Sequence, residues 1–85
     1  MKSTQWFVYI LRCADNSLYI GISTNVEKRL AVHASGKGAK YTRAHLPVVC
    51  VWQEKAESES AARKREAALK KLSRQQKLAL IANCN

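Results

Sequence analysis

The sequence predicts a small α/β (α+β) domain, in which a three-stranded, mainly antiparallel sheet is flanked by helices in the order β-β-α-β-α-α. Three observations carry this. Residues 6–11 and 18–22 are short apolar runs rich in β-formers, and they flank the turn cluster Ala14-Asp15-Asn16-Ser17, the pattern of a β-hairpin. A third run of β-formers, residues 48–52, follows Pro47, which suits the first position of a strand. Elsewhere apolar residues recur at helical spacing behind residues that cap helix starts.

The hairpin comes first. Residues 6–11 are apolar or aromatic throughout, as in a strand covered on both faces. Directly opposed residues of a hairpin share a face, and side chains alternate along each strand. A two-residue turn at Asp15-Asn16 would put Tyr9 and Tyr19 on opposite faces. An odd loop, Ala14-Asp15-Asn16, opposes Tyr9 with Gly21 and Leu11 with Tyr19, so that both phenols lie on one face. Such a loop needs a residue in the left-handed region, which Asn16 tolerates. The odd loop is the expectation.

The helices follow in order. Thr24-x-x-Glu27 is a capping-box pattern, so a helix is expected to start there, run through Val26, Leu30 and Ala34 to about Ser35, and stop at Gly36. Arg29 and His33, four apart, share a face of it at the edge of the core. Residues 53–57 are expected to turn the chain after the third strand. Ser58 or Ser60 then caps a second long helix reaching about Leu72, with Ala62, Glu66, Leu69 and Leu72 on one stripe. Ser73-x-x-Gln76 is another capping box and opens a final helix carrying Leu78 and Ile81.

Composition narrows the function classes. The chain of 85 residues bounds one domain, 1–85, with one modest core. Fifteen Lys and Arg against six Asp and Glu give a net charge of +9, which points to a polyanionic partner. Nucleic acid fits better than an anionic membrane, because no helix carries a large aromatic face. The three cysteines, Cys13, Cys50 and Cys84, show no CxxC and no zinc spacing. With no signal-peptide pattern and no bilayer-length apolar run, they suggest a reduced, cytoplasmic protein, with Cys13 and Cys50 as small buried hydrophobes. Residues 36–43 hold two glycines, the cations Lys37, Lys40 and Arg43, and Tyr41. This stretch reads equally as a loop presenting amides and cations to phosphate or as a solvated surface loop.

The acids are few enough to sort one by one. Asp15 belongs to the turn and Glu27 to a helix start, while Glu54, Glu57 and Glu59 sit in the polar connection before the second long helix. Only Glu66 falls on a core-facing stripe. A two-metal site needs several converging carboxylates, which this chain cannot easily assemble. One divalent ion held by Glu66 and waters is feasible, since Mg²⁺ keeps most of its hydration. The bland alternative for Glu66 is an i,i+4 pair with Lys70 on a solvated face. Arg29 is either a surface cation near Glu27 or a fixed charge for a phosphate. Tyrosines in strands most often simply pack.

Tyr9, followed ten residues later by Tyr19-Ile20-Gly21, resembles the paired signature of the GIY-YIG nuclease superfamily. The first triplet reads Phe7-Val8-Tyr9, which keeps the tyrosine without the leading glycine. The likeness is greatest to small stand-alone bacterial members of the UPF0213 type. It covers nearly the whole chain, including the stretch Lys40-Tyr41-Thr42-Arg43. It implies the GIY-YIG endonuclease fold and a Mg²⁺- or Mn²⁺-dependent endonuclease using one ion, acting on nucleic acid, DNA before RNA, with a link to repair or recombination; since no helix-turn-helix or zinc-finger pattern is present, a preference for structure or single strands, or little preference at all, is expected. It implies Glu66 as metal ligand, Arg29 as the charge on the scissile phosphate, and His33 as support. Tyr9 would take a proton from the attacking water while Tyr19 positions water or phosphate, or His33 would itself be the base. Lys37, Lys40, Tyr41, Arg43, Arg63 and Lys70 are the expected nucleic-acid contacts, and Asn83 is a candidate site asparagine. The rival reading is a nucleic-acid-binding module of the same fold without catalysis.

Overall fold

A computed structural model describes residues 5–37 and 45–83. Strands β1 (Trp6–Cys13) and β2 (Leu18–Ser23) form the hairpin, α1 (Val26–Ala34) follows, then β3 (Val48–Ala56), α2 (Glu59–Lys70) and α3 (Arg74–Ala82). The sheet order is β2-β1-β3, with both pairs antiparallel. The strand with the continuous apolar run is thus the central one. Val8, Ile10 and Leu11 are fully buried, and Tyr9 nearly so.

The odd loop is present. Tyr9 opposes Gly21 and Leu11 opposes Tyr19. Asn16 takes the left-handed conformation at φ 68°, and its N–H donates to the Cys13 carbonyl at 2.9 Å. The Asp15 carboxylate accepts from the Ser17 N–H at 3.0 Å and the Ser17 hydroxyl at 2.5 Å, which holds the turn and draws its own pKa below the usual carboxylate value. Across from the turn, the Ala14 N–H donates to the His45 carbonyl at 3.0 Å, and His45 Nε2 lies 3.4 Å from Asp15. The hairpin tip is therefore tied to the segment leading into β3.

Two cores result, one on each face of the sheet. Val8, Ile10, Ile20 and Trp52 pack with Ala62 and Leu69 of α2, joined by Leu72, Leu80 and Ile81. Tyr9, Leu11, Cys13 and Val48 pack with Val26 of α1, joined by Phe7, Tyr19 and Leu30. Truncating Ile10 or Leu69 to alanine should cost about 2–5 kcal/mol.

Several local expectations are corrected. Asn25, not Thr24, caps α1, its side chain accepting from the Lys28 N–H at 3.0 Å. The helix ends as expected at Gly36 (φ 84°), with Gly36 N–H donating to the His33 carbonyl and Lys37 N–H to the Val32 carbonyl, a Schellman closure. β3 does not turn at residue 53. It stays paired with β1 through Ala56 opposite Trp6, because backbone ladders do not require apolar side chains. An extra residue, Val51, bulges where Ile10 faces Trp52 and Leu11 faces Cys50. Ser58 caps α2, which ends at Lys70 rather than Leu72, and Ser73 with Gln76 forms the full capping box of α3. On α3 it is Leu80 and Ile81 that pack inward, whereas Leu78 is 41% exposed. Cys13 is buried but Cys50 only partly; Cys84 lies outside the described residues.

Candidate active site

The site is built on the β1–β2 hairpin and roofed by α1. Strand parity turns Tyr9 and Tyr19 to the α1 face, and the i,i+4 spacing of Arg29 and His33 turns both toward them. The His33 ring stands edge-on to both phenols, its centroid 6.2 Å from that of Tyr9 and 5.4 Å from that of Tyr19. His33 Nε2 lies 3.2 Å from the Tyr9 hydroxyl oxygen. His33 is 0% exposed, so it belongs inside the core rather than at its edge, and Arg29 beside it is exposed.

Gly21 explains how the phenol is housed. A Cβ built on it would stand 2.5 Å from the Tyr9 hydroxyl oxygen and 2.7 Å from Cζ. The ring therefore lies directly over the glycine backbone. Glycine's role here is close approach rather than conformational freedom. The opposition of Tyr9 and Gly21 follows from the odd loop, so the signal was in the sequence; its steric meaning was not drawn from it.

The electrostatics are opposed at the two buried partners. Burial raises the Tyr9 phenol above its ordinary pKa. A side-chain hydrogen bond from Arg29 and its positive charge act the other way, and Tyr19 and Glu66 add to the rise. Burial lowers the His33 pKa, and the Arg29 charge lowers it further. At neutral pH the pair is a protonated phenol facing a neutral imidazole.

Glu66 arrives from α2, which packs on the other face of the sheet. Its side chain is only 22% exposed and its Oε2 lies 3.2 Å from Lys70 Nζ. Its charge still acts on the Tyr9 phenol, as the least of the influences there. Both readings of Glu66 thus have a structural counterpart, the ion pair and the approach to the phenol. Among the described residues no group of three or more His, Cys, Asp or Glu converges. A single carboxylate whose charge reaches the Tyr9 phenol is a hard-oxygen donor that suits a largely hydrated Mg²⁺ or Mn²⁺ and not zinc.

Arg29 also lines a hollow of about 180 Å³ with Ser23, Thr24, Asn25, Lys28 and Val32. Lys28 was not among the expected nucleic-acid contacts; it adjoins Arg29 in sequence, which is the signal that could have found it. Of the expected contacts, Lys37 is exposed, while Lys40, Tyr41 and Arg43 lie outside the described residues. Arg63 is paired with Glu59 at 2.6 Å and Lys70 with Glu66. Arg63 lines a separate hollow of about 580 Å³ over α2 that includes none of Tyr9, Tyr19, Arg29, His33 or Glu66. Asn83 caps the C-terminus of α3 and is exposed.

Residues 5–79 match the family model of the GIY-YIG catalytic domain. A UPF0213 protein of Staphylococcus haemolyticus is 57% identical over 75 residues, covering 88% of this chain and 92% of the relative. One of Natronomonas pharaonis is 52% identical over 77 residues, covering 91% of each. The solution structure of a UPF0213 protein from Bacillus halodurans superposes with a TM-score of 0.59 at 44% identity, over 92% of this chain and 83% of that one. A solution structure from E. faecalis superposes at 0.64, also at 44% identity, over 95% and 86%. With the tyrosine of one strand seated on the glycine of the next and the match running from Gln5 through Ala79, the chain belongs to the GIY-YIG nuclease family, in its UPF0213 branch.

Proposed function

We propose that this protein is a divalent-metal-dependent endonuclease that hydrolyses phosphodiester bonds of nucleic acid, DNA before RNA, with a preference for structure rather than sequence and a place in repair or recombination. The observation that carries the reading is the Tyr9 hydroxyl, which faces the buried imidazole of His33 at 3.2 Å, with the Arg29 guanidinium acting to lower its pKa. A phenol alone is a poor base at neutral pH. Here it has a neutral acceptor behind it and a cation beside it.

His33 is the more deeply buried of the pair, which favours Tyr9 as the member that faces the attacking water. Tyr9 takes the proton from water as its own proton passes to Nε2, with the imidazole's ring proton on Nδ1. Arg29 stabilises the phenolate character that develops and, being exposed on its outer side, the charge that grows on the phosphoryl oxygens. Tyr19, half-buried against the same imidazole, orients the water or the phosphate. Glu66 is the residue that would hold Mg²⁺ or Mn²⁺, a Lewis acid that polarises a phosphoryl oxygen. Exposed cations track the backbone and supply affinity without sequence information.

The test is a cleavage panel of forked, flapped, nicked, single-stranded and RNA substrates with Mg²⁺ or Mn²⁺, run on wild type, Tyr9→Phe and Glu66→Gln. Cutting by wild type with a loss of about 10²-fold or more in each variant supports the assignment. Equal cutting by all three sinks it. Salt-sensitive binding by all three with no cutting by any leaves a binding module of the same fold.

A further inference from the structure

From Ala67 to Asn83 the chain carries four cations and no Asp or Glu. This stretch covers the end of α2, the turn, and α3. Lys71 and Arg74 are exposed and Lys77 is partly so, and none forms an ion pair among the described residues. Lys64, also exposed and without an ion pair among the described residues, lies seven residues before Lys71, two turns back on the same side of α2. The cations at the end of α2 have a local explanation, since they complement the negative end of the helix dipole. Arg74 and Lys77 have none. They are the first and fourth residues of α3, whose first turn has no acid, so they face the positive end of the dipole. They are also like charges at i,i+3. The sequence places charge here against its local grain.

We propose that the α2–α3 elbow, Lys64, Lys71, Arg74 and Lys77, is a second contact surface for a nucleic-acid backbone, separate from the Tyr9 hollow and gripping the strand beyond the point of cleavage. The elbow rests on the nuclease reading for the identity of the polyanion. A membrane surface fits it poorly. Leu80 and Ile81 are turned into the core, which leaves Leu78 as the one exposed large apolar side chain described on a nine-residue helix, with no apolar face to insert.

The experiment compares wild type, Arg74→Gln with Lys77→Gln, and a charge-matched control, Arg12→Gln with Lys55→Gln, two exposed cations of the sheet. Fluorescence anisotropy with a labelled single-stranded oligonucleotide and its duplex, in EDTA, gives affinity between about 50 and 200 mM salt. The elbow variant is expected to lower the slope of log affinity against log salt by about 1.4–1.8, that is about 0.7–0.9 for each lost phosphate contact, while the control moves it by less than about 0.5. Equal loss in both variants, or no loss in the elbow variant, overturns the proposal and leaves the nuclease reading standing. Wild type that binds neither oligonucleotide overturns both, as does binding confined to vesicles of phosphatidylserine.

Discussion

The Tyr9 ring occupies the space in which any side chain on Gly21 would stand, with the hydroxyl oxygen 2.5 Å from the position of a Cβ. Gly21→Ala therefore forces the ring off its seat and away from His33. Overpacking of this kind costs about 1–3 kcal/mol. We expect a melting temperature lowered by about 4–8 °C per kcal/mol, and a loss of cleavage at temperatures where the variant is still folded. Thermal melts by circular dichroism with cleavage assays alongside decide this; a variant as active and as stable as wild type would mean the ring has room to spare.

The Tyr9–His33 contact predicts different results for its two members. Tyr9→Phe keeps the shape and removes the proton path, so cleavage should fall about 10²–10⁴-fold while the fold persists. His33→Ala strips the Tyr9 hydroxyl, on a nearly buried ring, of its acceptor and opens a cavity where the fully buried imidazole stood. The unsatisfied hydroxyl alone costs about 1–3 kcal/mol. Rate and stability should thus separate for Tyr9 and fall together for His33.

Stability should depend on pH through the same pair. Because burial lowers the His33 pKa in the folded protein, the unfolded chain binds the proton more readily. The full stability is present above the ordinary histidine value of about 6.5, and it declines as pH falls from there toward the folded value. Tyr9 is raised, so its contribution is full below the ordinary value of about 10 and is lost as pH rises from there through the higher folded value. Urea midpoints should be flat near neutrality and fall on the acid side, and His33→Gln should flatten the acid limb. An unchanged limb in that variant would assign the effect to other groups.

The Glu66–Lys70 pair bears on metal binding. It is an i,i+4 pair whose lysine is 58% exposed, so it is worth about 0.3–0.5 kcal/mol. Lys70→Met should raise Mn²⁺ affinity about twofold by removing this competitor, and Glu66→Gln should abolish binding. Water-proton relaxation in Mn²⁺ titrations reads both; binding indifferent to Glu66 would rule it out as the ligand.

At the hairpin tip, Asn16 sits at φ 68°. Asn16→Val should cost about 1–2 kcal/mol, whereas Asn16→Gly should be nearly neutral. Equilibrium unfolding of the two variants distinguishes backbone strain from lost side-chain contacts.

What was legible in the sequence is what depends on parity and spacing. One loop length placed Tyr9 against Gly21 and both phenols on one face, and the i,i+4 spacing brought His33 under them. Less legible was whatever depends on a partner remote in sequence. β3 runs past Trp52 because β1 offers it a ladder, although Gln53, Glu54 and Lys55 look like the start of a loop. Asn25 wins the cap over Thr24 because the Ser23 hydroxyl, accepting the Asn25 N–H at 3.0 Å, sets the chain's entry one residue later. The face of the sheet from which Glu66 approaches is set by the packing of Ala62 and Leu69, which periodicity alone does not orient.

The central strand serves both layers at once, Val8 and Ile10 gripped by one and Tyr9 and Leu11 by the other. The Tyr9 phenol is consequently held in place, and on the proposed mechanism a substrate would have to be brought to it. Substitutions at Val8 or Ile10, which point away from the chemistry, should blunt turnover as they loosen the clamp. A chain that had given up cutting altogether would still have reason to keep this tyrosine for its architecture.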